Sequence, residues 1–218
     1  GWNKNGTGCA IGARSHTNDS LHFHGYMAEF HNIDGQALTP SSFTQTVDGV
    51  LVPKEYTGSY GNNGFYLPFG QSNTAGVGSL YTASGNIIHS DSSAYDIAAT
   101  DDFCIEFWFM SPDLGGDGFG SDDYGNFMGE YTTGGPHFSI GYDFRSEQDI
   151  YFYTGNGAAF FWQLADNSLK DNEWNHIAIQ RDGTTLRCWI NGTRNTSITD
   201  AASNTGYTIS SGKATDFN

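Results

Sequence analysis

A period of two divides the side chains of residues 103–110, the clearest stretch of this chain, into two faces. Successive side chains of a strand point to opposite faces, so every second residue shares a face. One face would carry Phe103, Ile105, Phe107 and Phe109. The other would carry Cys104, Glu106, Trp108 and Met110. This pattern predicts a strand with one face in the core of a sandwich.

Two further alternating runs, residues 176–181 and 184–190, predict a β-hairpin. Asp182-Gly183 lies between the runs, and this dipeptide suits the positive backbone angles of a type I′ turn. Asn191-Gly192 marks the next turn. Five other segments are predicted as strands: residues 21–31, 64–69, 137–143, 149–154 and 159–164.

The segments between these strands are rich in turn-forming residues. Gly, Ser and Asp dominate residues 70–86 and 111–126, which are predicted as loops. A short helical turn is expected near Pro40-Ser41-Ser42-Phe43, and Trp174 is expected to anchor the core after a polar corner. Gly accounts for 29 of the 218 residues and aromatic residues for 15%. Because Gly disfavours helices and aromatic residues favour strands, this composition supports an all-β fold.

The charge balance limits the classes of partner that the protein is expected to bind. Nine Lys and Arg face 24 Asp and Glu, so the formal net charge is −15. Nucleic-acid binding needs a cluster of basic residues, which this composition does not supply, so no nucleic acid is expected as a partner. Anionic membrane surfaces would repel a protein of this charge. No apolar run approaches the roughly 20 residues of a membrane-spanning helix, so no membrane insertion is expected. Metal cations and neutral glycans remain as plausible partners.

Large aromatic residues are the candidates for glycan or partner contact, because sugar rings stack on exposed aromatic faces. These candidates are Trp108, Tyr124, Tyr131, Trp162 and Trp189. The alternative for each is core packing or subunit contact. Trp108 and Trp189 lie on the strand face opposite the Phe and Ile core, which predicts that this second face is covered as well. Cys104 and Cys188 lie in apolar strands and are expected to be buried free thiols.

Carboxylates are the candidates for metal binding and catalysis. Residues 113–126 form a Gly-rich loop whose oxygen ligands would suit calcium, the candidates being Asp117, Asp122, Asp123 and Asn126. A glycosidase would need paired carboxylates in a pattern such as Glu-x-Asp-x-Glu on one strand. The nearest approach is Glu147-Gln148-Asp149-Ile150-Tyr151, which lacks the last carboxylate. The sequence therefore predicts that the protein is not an enzyme.

Residues 65–218 resemble the laminin-G-like jelly rolls of the concanavalin A-like superfamily. Three motifs carry this resemblance: Phe103-Cys104-Ile105-Glu106-Phe107-Trp108-Phe109, Asn172-Glu173-Trp174-Asn175-His176-Ile177-Ala178 and Leu186-Arg187-Cys188-Trp189-Ile190-Asn191-Gly192. The resemblance implies a jelly-roll sandwich of two antiparallel sheets. Because many laminin-G-like domains bind calcium, it also strengthens the calcium hypothesis.

The front of the chain resembles a different group, the tail-fibre and other virion proteins of bacteriophages, especially marine ones. Residues 25–43 and 53–67 carry this resemblance. We therefore expect three regions: residues 1–35 like the closing strands of a laminin-G-like domain, 36–64 an extended connector, and 65–218 the jelly roll. The family's last strand pair is expected beyond residue 218, so residues 10–31 are expected to fill its place. They would do so within one chain or in a neighbouring subunit; alternatively, the chain is a piece of a longer fibre protein.

The sequence as a whole predicts a phage virion structural or adhesion protein, located in the extracellular particle. It would form a tail fibre or decorate a capsid, assemble with other virion subunits as a homo-oligomer, and bind host-surface glycans. The alternative is a lectin-like, carbohydrate-binding module of a secreted or cell-surface protein.

Overall fold

The computed structural model describes residues 9–13, 23, 25–69, 80–82, 87–89, 101–112, 124–130, 138–143, 149–154, 158–163, 168–183, 185–196 and 198–199. Its regular elements are strands, apart from one 3₁₀ turn at Pro40–Ser42 where a helical turn was predicted. The strands are β1 (Cys9–Ile11), β2 (Gly25–Asp34), β3 (Thr44–Val47), β4 (Val50–Pro53), β5 (Phe65–Leu67), β6 (Leu80–Thr82), β7 (Ile87–His89), β8 (Phe103–Met110), β9 (Tyr124–Glu130), β10 (Phe138–Asp143), β11 (Asp149–Thr154), β12 (Ala158–Gln163), β13 (Asn175–Asp182), β14 (Thr185–Ile190), β15 (Thr193–Asn195) and β16 (Ile198–Thr199).

Two antiparallel sheets form the body of the molecule. The first has the order β16-β12-β11-β10-β9-β1-β7. The second has the order β15-β14-β13-β8-β2-β5, with β6 also paired to β2. This architecture confirms the predicted all-β sandwich. Within the described part of the chain, no helix is long and apolar enough to cross a membrane.

The main core lies between the two sheets. All four residues assigned to the inner face of β8 belong to it, namely Phe103, Ile105, Phe107 and Phe109. Phe107 packs on Phe127 of β9 at a ring-centroid distance of 5.0 Å, and Phe103 stacks on Phe152 of β11 at 6.0 Å. The predicted alternation is therefore confirmed, since each of these rings joins one sheet to the other.

The front strands complete both sheets within a single chain. Strand β2 pairs with β8 from Tyr26↔Met110 to Asp34↔Phe103, and β1 pairs with β9 through Ala10↔Gly129. Among the described residues of 10–31, those of β1 and β2 thus pair with the later part of the same chain, as expected. Without β2, the edge of β8 would be unpaired and the core beside it would be open.

The structure has hairpin turns at the predicted dipeptides, but one turn begins one residue later than predicted. Strands β13 and β14 pair from Ile177↔Ile190 to Asp182↔Thr185. Strand β13 therefore runs through Asp182, and the turn begins at Gly183 with φ +58° instead of at Asp182. The turn at Asn191-Gly192 is confirmed, because both residues have positive φ and Ile190 pairs with Thr193.

Four strands lie wholly or partly in segments predicted to lack them. Residues 36–64 were expected to be extended, yet they contain the hairpin β3–β4, whose turn Asp48-Gly49 has positive φ at both positions. Strand β6 lies in the predicted loop 70–86, and β9 begins inside the predicted loop 111–126. Leu80-Tyr81-Thr82 consists of good strand formers that the surrounding Gly and Ser residues obscured.

The two described free cysteines lie on opposite faces of the second sheet. Cys104 packs with Ile33 and Phe43 on the outer face, whereas Cys188 belongs to the main core. Both thiols are buried and free, as predicted. Because the sheet lies between them, they are not placed to form a disulfide.

Trp174 does not anchor the core; this prediction is wrong, since 42% of the residue is exposed. The buried residue of the corner is its neighbour, Asn175. The Asn175 side chain accepts a hydrogen bond from the backbone N–H of Lys170 at 3.1 Å. It donates to the carbonyls of Lys170 at 2.9 Å and Glu173 at 3.0 Å. The corner is therefore held by an amide that satisfies its backbone groups.

A pair of substitutions separates these two roles. Asn175→Ala should lower the free energy of unfolding by about 1–3 kcal/mol, because it leaves backbone groups of the corner without partners. Trp174→Ala should change it by less than about 1 kcal/mol, as expected for an exposed side chain. Urea denaturation of both variants measures the difference, and a larger loss for Trp174→Ala would contradict this assignment.

Candidate functional site

Residues 36–64, which we call the arm, cover part of the outer face of the second sheet. Phe43 of the arm is buried against Ile33 of β2 and Cys104 of β8, and Leu38, Tyr56 and Tyr60 pack beside them. The prediction that this face is covered is thus confirmed, and the arm is one element that covers it. Gln180 of β13 donates its side-chain amide to the Leu38 carbonyl at 3.0 Å, which joins the arm to the sheet.

The far end of the arm is fastened to the end of β2. The backbone N–H of Asp34 donates to the Tyr60 carbonyl at 3.0 Å, and the Asp34 carboxylate accepts from the N–H of Asn63 at 3.1 Å. Gly61 lies between these contacts with φ +81°. A Cβ at Gly61 would lie 2.2 Å from the Asp34 carbonyl oxygen, so only glycine fits there.

A β-bulge in β2 sets which side chains face the arm. Ala28 pairs with Trp108 and His31 pairs with Glu106. An advance of three residues on β2 therefore opposes an advance of two residues on β8. Glu29, inside the bulge, has φ +50°, a left-handed conformation that is uncommon for a residue with a side chain. The extra residue allows Phe30 to enter the core and turns His31 to the outer face.

A cavity of about 520 Å³ opens between the arm, β2 and β5. We call it the arm cavity. Its lining residues are Glu29, His31, Pro53, Lys54, Glu55, Tyr56, Tyr60 and Tyr66. This volume lies within the range of about 300–1,000 Å³ that is typical of small-ligand sites.

Aromatic rings make two walls of the arm cavity at a right angle. Tyr66 stacks on His31 at a centroid distance of 4.5 Å, and Tyr60 lies nearly parallel to His31 at 6.0 Å. Tyr56 stands at 86° to Tyr60, with the ring centroids 5.2 Å apart. The cavity thus offers an aromatic corner instead of a single flat surface.

Hydrogen bonds fix the polar atoms of these walls. The Tyr66 hydroxyl donates to Oε2 of Glu29 at 2.6 Å, and the Tyr60 hydroxyl shares a hydrogen bond of 2.9 Å with Nδ1 of His31. Burial lowers the pKa of His31 to about 4 and, together with nearby charges, raises the pKa of Tyr60 to about 12. Both groups are therefore neutral at pH 7, and the carboxylates carry the charge of this wall.

A second titratable pair lies on the same face of the sheet, under the arm. Oε1 of Glu106 contacts Nε2 of His176 at 2.8 Å, although the angles are not those of a hydrogen bond, and the two side chains are 1% and 0% exposed. Burial raises the pKa of Glu106 and lowers that of His176 to about 3. Burial thus favours a neutral carboxyl group beside a neutral imidazole.

Trp108 and Trp189, the two predicted aromatic site residues whose side chains the structure describes, do not line the arm cavity. Trp108 and Trp189 are only 6% and 8% exposed, so neither ring offers a free face to a sugar. Tyr124 begins β9 and Trp162 lies in β12, but the structure describes only their backbone; Tyr131 falls outside the described residues. The aromatic residues that line the arm cavity are others, Tyr56, Tyr60 and Tyr66.

The predicted calcium ligands are mostly beyond what the structure describes. Asp117, Asp122 and Asp123 are outside the described residues. Asn126 is buried in β9, and its Oδ1 accepts a hydrogen bond from the Tyr151 hydroxyl at 2.7 Å. The described residues contain no group of three or more His, Cys, Asp or Glu side chains that could hold a metal ion. Calcium binding in the 113–126 loop stays a prediction.

One signal in the sequence could have revealed the cavity. Tyr56, Tyr60 and Tyr66 stand in a stretch that is otherwise polar and rich in Gly and Asn. Aromatic residues without an alternating apolar partner pattern do not build a strand core and are therefore candidates for a surface site. The bulge that brings Glu29 and His31 to the same place carries no comparable signal.

Comparison with known proteins places most of the chain in one family. Residues 78–216 match a laminin-G-type family model described as the concanavalin A-like lectin/glucanases superfamily. Searches of curated proteins and of solved structures each found no significant match. The match covers more than half of the chain and agrees with the antiparallel sandwich. The chain therefore belongs to the concanavalin A-like lectin/glucanase superfamily.

Proposed function

We propose that the protein is an adhesion component of a bacteriophage virion, in a tail fibre or as a capsid decoration, and that it binds a host-surface glycan in the arm cavity. The observation that carries the glycan part is the cavity itself, with three tyrosine rings beside charged and hydrogen-bonding groups. A sugar ring needs both, since its C–H face packs on an aromatic ring while its hydroxyl groups seek polar partners.

The position of the cavity lining along the chain supports the proposal that the protein is a virion component. Its lining residues lie between Glu29 and Tyr66, before the segment 78–216 that matches the superfamily. They belong to the same front segments, residues 25–43 and 53–67, that resemble phage virion proteins. The lining residues thus lie in the part of the chain that carries the virion resemblance, outside the segment that matches the superfamily model.

Binding without hydrolysis is the activity that we propose. The superfamily's description names both lectins and glucanases, so family membership is compatible with either. Two observations favour binding: the sequence lacks the Glu-x-Asp-x-Glu pattern of a glycosidase, and the carboxylate of Glu29 already accepts a hydrogen bond from the Tyr66 hydroxyl. Release of sugar fragments from the bound polysaccharide would contradict this part of the proposal.

The test is a glycan array followed by calorimetric titration of the best glycan. Tyr66→Ala should weaken binding at least about tenfold, or about 1.4 kcal/mol, because it removes one wall of the cavity. Tyr26→Ala is the matched control, since Tyr26 lies on β2 outside the cavity lining and is 37% exposed against 38% for Tyr66. Equal affinity of the two variants, or no glycan binding by the wild type, would refute the glycan site.

A mass measurement in solution tests the assembly part. A tail-fibre or decoration protein should form a homo-oligomer, located in the extracellular particle and in contact with other virion subunits. A monomer that binds the same glycans would instead favour a lectin-like module of a secreted or cell-surface protein.

A further inference from the structure

We propose that the arm cavity selects ligands that carry an alkylammonium group, such as choline or a protonated amine on a surface polymer. This inference rests on the proposed function, because it names the charge of the ligand that the same cavity takes. It is carried by the ring geometry and by the carboxylates at the cavity wall.

The aromatic corner suits a compact cation. Tyr56 stands nearly perpendicular to Tyr60 and at 83° to His31, so a group placed in the corner meets rings from two directions. The face of an aromatic ring is the negative pole of its quadrupole and attracts an ammonium group within about 6 Å. A flat neutral sugar ring, by contrast, would stack on one wall only.

The charges of the cavity favour a positive ligand. Glu29 and Glu55 both line it. Burial raises the pKa of Tyr66, and the hydrogen bond to Glu29 and the charges of Glu29, Tyr60 and Glu55 raise it further. The one lysine of the lining, Lys54, donates its ammonium group to the Ser41 carbonyl of the arm. Against this one ammonium group the lining sets two carboxylates, so a formal excess of one negative charge remains.

Glu29 is held in place before any ligand arrives. Its backbone is fixed in the left-handed conformation by the β-bulge, and Tyr66 donates to one of its carboxylate oxygens, Oε2. The other oxygen, Oε1, accepts no hydrogen bond from the described residues and can face a cation. Strained backbone at a cavity wall is typical of a preorganised ligand contact.

The decisive experiment titrates the wild-type protein with choline and with 3,3-dimethyl-1-butanol, its neutral carbon isostere. The two probes have nearly the same shape, so a difference in affinity reports on charge. We expect choline to bind at least about tenfold more tightly and its affinity to fall as salt is added. Equal binding of the two probes would overturn the inference without reference to any variant.

Two variants locate the effect. Glu29→Gln should weaken choline binding at least about fivefold. Glu173→Gln should leave it unchanged, because this exposed residue pairs with Lys170 away from the cavity. Thermal denaturation of both variants checks that they are folded, and an unchanged affinity in Glu29→Gln would contradict the role of its carboxylate.

The outcomes separate this inference from the proposed function. Neutral glycans that bind and depend on Tyr66, with no binding of choline, would refute the inference and leave the glycan site standing. Choline binding with no glycan bound on the array would refute the glycan site and leave the alkylammonium inference standing. Absence of both would refute both.

Discussion

The free energy of unfolding should pass through a maximum near pH 6.5, the usual pKa of histidine, and decline on both sides. On the acid side, the cause is His31 and His176, whose native pKa values of about 4 and about 3 lie below that usual value. The unfolded chain binds protons at these residues before the native protein does. Their contribution is therefore complete above pH 6.5 and is lost as the pH falls through the native values.

Glu106 acts in the opposite direction. Burial raises its native pKa above the usual 4.5, so the native protein keeps a proton that the unfolded chain releases. The contribution of Glu106 is complete below pH 4.5 and is lost as the pH rises toward the raised value. From pH 4.5 to 6.5 two histidines oppose one glutamate, so stability should rise by about 1.4 kcal/mol per pH unit. Above pH 6.5 it should fall for as long as Glu106 keeps its proton in the native protein, since the histidines no longer contribute to the slope.

Urea denaturation between about pH 4.5 and pH 8.5, followed by tryptophan fluorescence, measures this profile. Glu106→Gln should remove the decline above pH 6.5, because the variant has no proton to keep at this position. Glu173→Gln removes an exposed carboxylate and should follow the wild type, which controls for the net charge of −15. Stability that does not decline on the alkaline side would contradict a Glu106 that stays protonated in the native protein above pH 6.5.

Gly61→Ala should release the end of the arm and abolish ligand binding. The new methyl group would lie 2.2 Å from the Asp34 carbonyl, and the residue would keep φ +81°, so both a clash and backbone strain arise. We expect a loss of about 2–5 kcal/mol in the free energy of unfolding. Because Tyr60 precedes this position and its carbonyl accepts from Asp34, the aromatic corner would move with it.

Gly49→Ala is the matched control for this prediction. Gly49, in the β3–β4 turn, has φ +82°, almost the same angle, but nothing lies within 4 Å of its Cβ position. It should therefore lose only about 1–2 kcal/mol from backbone strain and keep full ligand affinity. Urea denaturation and calorimetric titration of both variants give the comparison. Equal losses in the two would show that strain alone, and not the contact with Asp34, accounts for the effect at Gly61.

The strands that could be predicted from the sequence are those with one apolar face. Within residues 103–110 every second residue is Phe or Ile, and the structure places all four of these side chains in the core. The hairpin turns at Gly183 and at Asn191-Gly192 could be predicted because positive φ restricts the residues allowed there. The same signal, Asp48-Gly49, stands in the arm, where the surrounding Pro and Gly residues favour an extended connector instead of a hairpin.

The candidate site could not be predicted in the same way. Its residues come from a bulge in β2, from the arm and from β5, so the arrangement depends on tertiary contacts such as that between Tyr66 and Glu29, 37 positions apart. A bulge breaks the period of two on which the strand prediction rests. The corner before β13 is a second case. Its large apolar residue, Trp174, is the expected anchor, but the buried residue is Asn175, whose small amide satisfies the backbone groups of the corner.

The opposite placement of Cys104 and Cys188 gives the protein two internal reporters of partial unfolding. Cys104 is buried under Phe43 of the arm, whereas Cys188 is buried in the core between the two sheets. A thiol reagent can reach the first when the arm lifts and the second only when the sandwich opens. In a Cys9→Ser background, the two labelling rates would therefore give separate opening free energies for the ligand-binding layer and for the scaffold beneath it.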